Sequence, residues 1–117
     1  MTILVNNAGV SWQGTLDTYD REQVARMRQV NVDGVIHATR AVSRSMRAQR
    51  YGRIVNVASI AGIGTALSGN AFYAATKAEV LRSARVVGAP TQEEIHEPIG
   101  NPCDREVILA ISNFSRN

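Results

Sequence analysis

A parallel α/β layer is the fold class this sequence predicts, and three observations predict it. Two short apolar, β-branched runs, Ile3-Leu4-Val5 and RIVNVA at residues 53–58, each end in turn-forming or small polar residues, as buried strands of a parallel sheet do. Residues 20–49 and 71–87 carry apolar positions at helical spacing. The order strand, helix, strand, helix is the one in which right-handed crossovers return a chain to the same sheet.

The first strand is expected over residues 3–6. Its unbroken apolar run implies burial on both faces, and Asn6-Asn7-Ala8-Gly9 ends it. Residues 10–19 read as loop. Asp20 has the place of an N-cap, with Gln23 as its capping-box partner. Val24, Met27 and Val30 lead on to Val35, Ala38, Val42 and Met46 at helical spacing. Either Gly34 bends this helix or two helices meet near Asn31. An Asn inside a helix marks a kink that frees a backbone carbonyl, or else an exposed helix end. The pattern stops at Arg50 and Gly52. The second strand, 53–58, is expected beside the first and parallel to it, with 20–49 as crossover. Residues 59–70, rich in Gly, Ser and Ala, read as loop; 71–87 form a third helix closed by Gly88 and Pro90. All three prolines fall within 89–104, which is expected to be irregular, and 106–112 form a short apolar helix or strand.

Composition narrows the class. The 117 residues, 44% hydrophobic and 20% charged, suit one globular core and are too few for two domains. The single cysteine, Cys103, precludes an internal disulfide and suits a reducing, cytoplasmic setting. MTILVNNAG lacks the pattern of a signal peptide. Residues 54–76 carry no charge, but Asn56, Asn70 and three glycines argue against a membrane span. The net charge is +3, and twelve of the thirteen basic residues are Arg, eight of them within 21–53. Arg40, Arg44 and Arg47 share one helix side. With no aromatic ladder or nucleic-acid motif beside them, they read as a solvated face, so no nucleic-acid partner is expected.

The chemistry concentrates in four places. Tyr73 and Lys77 stand four apart in a helix, hence on one face. An ammonium beside a phenol stabilises the phenolate and draws its pKa from about 10 toward neutrality, which suits proton transfer. The same spacing also occurs as plain surface decoration. Ser59 sits where the second strand ends, and catalytic groups of open α/β sheets gather at strand carboxyl ends; the alternative is a turn serine. Asn7 closes the first strand and either holds a ligand or caps the turn. Asn31 is the fourth.

Together, Asn6-Asn7-Ala8-Gly9, Asn31, Ser59 and Tyr73-Ala74-Ala75-Thr76-Lys77 resemble the short-chain dehydrogenase/reductase superfamily in order and spacing. The stretch GRIVNVASIAG with AFYAATKAEVL most resembles its classical 3-oxoacyl-acyl-carrier-protein reductase-like branch. The resemblance covers residues 2 to about 81. It implies a partial Rossmann-type, doubly wound parallel sheet in a three-layer α/β/α arrangement that lacks the N-terminal strands. Residues 1–88 would be the partial NAD(P)-binding domain and 89–117 a divergent tail. The implied reaction is hydride transfer between NADP or NAD and a small-molecule carbonyl or alcohol. Tyr73 would be the general acid or base, Lys77 would lower its pKa and bind the nicotinamide ribose, and Ser59 would orient the substrate carbonyl. Asn31 would hold a relay water through its main-chain carbonyl. Asn7, Ala8 and Gly9 would line the cofactor cleft. The helices around 32–49 and 71–87 would join subunits of a homo-oligomer. The family's Gly-rich pyrophosphate turn precedes the segment matched here, so the chain is expected to be part of a longer product or a non-catalytic remnant serving subunit interaction.

Overall fold

The computed structural model describes residues 3–64, 68–87 and 109–113. Strand β1 (Ile3–Asn6) leads through a long loop to helix α1 (Arg21–Arg28), a π-helical turn (Gln29–Asp33) and helix α2 (Gly34–Gln49). Strand β2 (Arg53–Val57), a 3-10 turn (Ile60–Ile63), helix α3 (Ala71–Val87) and strand β3 (Leu109–Asn113) follow. β1 and β2 pair in parallel, Leu4 opposite Ile54 and Asn6 opposite Asn56, as the strand–helix–strand order requires. β3 adds antiparallel on the far edge of β2, giving the order β1-β2-β3. The short apolar run near 106–112 is thus a strand over 109–113. An antiparallel edge on a parallel pair is a common mixed arrangement. The closing residues Gly88 and Pro90 and the irregular stretch 89–104 lie outside the described residues, as do residues 106–108.

Asp20 caps α1, its carboxylate accepting from the backbone N–H groups of Glu22 and Gln23 at 3.0 and 3.1 Å. The reciprocal side-chain bond expected of Gln23 is not made among the described residues. Between α1 and α2 the helix runs on through Gly34 (φ −57°, ψ −45°). It widens by one turn, in which the Gly34 N–H reaches back five residues to the Gln29 carbonyl, and Asn31 lies inside that turn. π-bulges of this kind recur at functional sites. α2 ends at Arg50, which takes the left-handed conformation (φ 53°) and bonds back to Arg47 and Met46.

Two apolar clusters hold the helices on one face of the sheet. Met46 and Ile54, both about 1% exposed or less, pack with Leu4 and Val42. Val35, Ala58 and Val80 pack with Ile60 and Leu81, joining α2, the end of β2 and α3. The opposite face of β1 corrects the expectation of two-sided burial: Ile3 and Val5 are 55% and 56% exposed. The helices described here sit only on the Leu4–Ile54 side, so the alternate side chains of β1 have no cover among the described residues. Arg40, Arg44 and Arg47 are exposed, as a solvated helix face should be.

Candidate active site

Polar side chains inside this apolar frame mark where the elements converge. Asn6 and Asn56, partners across the parallel ladder, are joined Nδ2 to Oδ1 at 2.8 Å, and Asn6 also donates to Thr39 Oγ1 of α2 at 3.3 Å. Asn56 is 3% exposed, so without this pairing its amide would be buried at a cost. The bridge ties the end of β1 to β2 and to the crossover helix, and so fixes the exit direction of Asn7-Ala8-Gly9.

Asn31 is 1% exposed. Its Oδ1 accepts from the Val10 N–H at 2.8 Å, and its Nδ2 donates to the Val10 carbonyl at 2.9 Å. The side chain thus pairs with one residue of the loop after β1 as a neighbouring strand would. The same Nδ2 donates to Thr76 Oγ1 at 3.0 Å, and the Thr76 hydroxyl donates to the Tyr73 carbonyl at 2.8 Å. One amide, presented by the π turn, therefore fastens the loop after β1 to the turn of α3 that carries Tyr73 and Lys77.

Lys77 is buried, at 5% exposure, with its Nζ 3.1 Å from the Val57 carbonyl at the end of β2. Nζ also lies 5.7 Å from the centroid of the Tyr73 ring. Burial lowers its pKa from the ordinary lysine value, because leaving water penalises the charged form. Only one of its three donors has a protein acceptor among the described residues. Across from it lies Gly9, where a Cβ would come within 3.3 Å of Nζ and 3.5 Å of Asn31 Oδ1. The missing side chain lets the backbone close over the ammonium while Asn7, Ala8 and Gly9 stay exposed.

Ser59, 4% exposed, caps the 3-10 turn, its Oγ accepting from the Ala61 N–H at 3.2 Å. Its hydroxyl proton remains available for a further acceptor. The turn it starts lies on the backbone of α3: a Cβ on Gly62 would meet Ala78 N and the Lys77 carbonyl carbon at 2.8 Å. Asn31, Tyr73, Lys77 and Gly9 are therefore brought together, and Ser59 is joined to them through the turn that packs on Lys77. Sequence reasoning missed Thr76, Asn56 and Thr39. Asn6 and Asn56 left a signal, each a polar residue at the same register of an apolar strand. Thr76 left none, being one hydroxyl in a helix of small residues.

The arrangement is that of an α/β site built around a tyrosine–lysine pair at strand carboxyl ends. A family model for short chain dehydrogenases matches residues 1–95, and the chain belongs to that family. It is 39% identical over 79 residues to the 3-oxoacyl-acyl-carrier-protein reductase FabG of Haemophilus influenzae, covering 68% of this chain and 32% of that protein. It is 37% identical over 89 residues to the inactive 2-(S)-hydroxypropyl-CoM dehydrogenase 2 of Xanthobacter autotrophicus, covering 76% of this chain and 38% of that one. The gluconate 5-dehydrogenase of Burkholderia cenocepacia, solved in complex with NADP and tartrate, superposes with a TM-score of 0.70 at 36% identity, over 74% of this chain and 33% of that chain. The chain spans about a third of the length of these relatives. No helix among the described residues is long and apolar enough to cross a membrane.

Proposed function

We propose that these residues form the nicotinamide-facing part of an NAD(P)(H)-dependent oxidoreductase that interconverts a carbonyl and an alcohol, close to the 3-oxoacyl-acyl-carrier-protein reductase branch. The observation that carries this reading is the buried Lys77 ammonium, with donors to spare, beside the Tyr73 ring and under the bare Gly9 backbone. Unspent donors in a low-dielectric site fit a ribose diol, and a glycine cradle fits close approach of a nucleotide. Bound there, the nicotinamide would supply the hydride. Lys77 would hold the ribose and, as a neighbouring positive charge, favour the Tyr73 phenolate. Tyr73 would give its phenolic proton to the carbonyl oxygen during reduction and take it back in oxidation. Ser59, its oxygen already engaged by Ala61 N–H, would donate its hydroxyl proton to the same substrate oxygen. Asn31 would keep the Tyr73 turn in place through Thr76 and offer its main-chain carbonyl to a relay water. Asn7, Ala8 and Gly9 would line the cleft.

In this reading residues 1–88 are the partial nucleotide-binding unit and 89–117 a divergent tail. The protein works in the cytoplasm, and the helices around 32–49 and 71–87 join its subunits. The test follows NADPH absorbance while a 3-oxoacyl thioester is added to the purified chain. Substrate-dependent oxidation that Tyr73→Phe abolishes, with folding retained by circular dichroism, is expected. Oxidation that survives Tyr73→Phe would contradict the chemistry. No substrate-dependent oxidation would favour a second reading, a non-catalytic interaction module. The uncovered Ile3 and Val5 on the edge strand support that alternative.

A further inference from the structure

The loop after β1 does more than carry Gly9. Between this loop and α1 lies a recess of about 210 Å3, lined by Val10, Ser11, Trp12, Gln23, Arg26 and Met27. It holds none of the residues assigned to the reaction. Its floor is Met27, 1% exposed. One wall is Val10, whose backbone Asn31 grips at both ends. Trp12 also lines it; its indole packs on Phe72 at 6.3 Å between centroids and lies over Gly14, where a Cβ would overlap the ring. The Gly14 N–H in turn bonds the Gly69 carbonyl at 2.8 Å.

The polar groups converge on one charge. Gln23 and Arg26, three apart on α1, both face the recess, together with Ser11. None of the six lining residues is acidic. Arg28, two residues on, is neutralised by Glu79 at 3.0 Å, whereas Arg26 has no carboxylate within reach among the described residues. A guanidinium fork with amide and hydroxyl donors beside it matches a carboxylate. The Trp12 indole and the Met27 side chain, both lining the recess, match a flat apolar body.

We propose that this recess is a binding site for a small aromatic or short-chain carboxylate, its carboxylate on Arg26 and Gln23 and its apolar part between Trp12 and Met27. The volume exceeds that of an apolar cavity of about 150 Å3 that takes up benzene, so it accommodates a ring with one carboxylate. The recess shares no lining residue with the proposed hydride chemistry, so its test is direct binding and does not depend on activity.

Trp12 is the only tryptophan of the chain, and its fluorescence reports the recess. Titration of the full 117-residue chain with benzoate is expected to change that fluorescence saturably, with a dissociation constant on the order of 1 mM, as suits so small a ligand. Benzyl alcohol, similar in shape without the charge, is expected to bind at least about tenfold more weakly, and Arg26→Gln to weaken benzoate by a similar factor. Arg40→Gln, an exposed arginine on α2, is expected to leave benzoate binding unchanged. Absence of a saturable change, equal binding of benzyl alcohol, or equal loss in Arg26→Gln and Arg40→Gln would overturn the proposal. Inorganic phosphate binding as tightly as benzoate would overturn its apolar half.

Discussion

Asn31 shows how one side chain can decide the geometry of a site. Its amide completes both backbone groups of Val10 and reaches Thr76, which is 1% exposed. Asn31→Ala would leave a partly buried N–H and carbonyl without partners, at about 1–3 kcal/mol each. A loss of about 2–6 kcal/mol in urea unfolding is therefore expected. Asn31→Asp should not rescue it, because a carboxylate oxygen would face the Val10 carbonyl where Nδ2 now donates. Lys77 offers a pH test. Its folded pKa lies below the unfolded value because burial penalises the ammonium. The unfolded chain therefore binds the proton more tightly, and stability rises with pH between the folded pKa and about 10.4. Relative to the native chain, Lys77→Met should be most favourable in Tm near neutral pH, and that advantage should shrink as pH climbs toward about 10. A difference in Tm that stays constant across this range would show that burial of the charge has no such effect.

At the scale of elements, the 3-10 turn and α3 are bound by close backbone approach as well as by the packing of Ile60 on the Val80 cluster. Gly62 faces Ala78 N and the Lys77 carbonyl carbon with no room for a Cβ, and backbone atoms cannot rotate away. Gly62→Ala should lower stability by about 1–3 kcal/mol and displace Ser59, which caps the same turn; thermal melts and the Ala61 amide shift would read both. A variant with native stability would mean that the turn and α3 are not in contact. Much of this layout is legible in the sequence. The β-branched runs, the Asp20 cap and the apolar spacing of 20–49 locate β1, β2, α1 and α2, since each depends on local chemistry. The π turn is legible only as a disturbance. Asn31 has low helix propensity, but the widened turn it sits in is accompanied by bonds to Val10 and Thr76, which are distant in sequence. β3 had an ambiguous signal because five apolar and small residues suit either a short helix or a strand, and its pairing sense depends on which edge of β2 is open.

For the molecule as a whole, sheet order and site form one argument. The parallel pair β1–β2 brings the ends of two strands together, and the helices on one face deliver Asn31, Tyr73 and Lys77 to that end. The uncovered side of β1, with Ile3 and Val5 more than half exposed, was not legible, because apolarity states that a strand seeks cover and not what covers it. The four candidate residues Asn31, Ser59, Tyr73 and Lys77 stood out in the sequence as a pattern, while the hydroxyl of Thr76 that links Asn31 to Tyr73 did not. Under the proposed function, these 117 residues would hold the nicotinamide half of a dinucleotide and not the adenosine half, since they carry no Gly-rich pyrophosphate turn. Backbone amide shifts followed during titration with reduced nicotinamide mononucleotide, and separately with adenosine 2′,5′-bisphosphate, test it directly. The account predicts that the nicotinamide nucleotide moves the amides of Gly9, Tyr73 and Lys77, that Lys77→Ala removes the effect, and that the adenosine bisphosphate moves none of them. Shifts at these residues with the adenosine compound, or none with the nicotinamide compound, would contradict it.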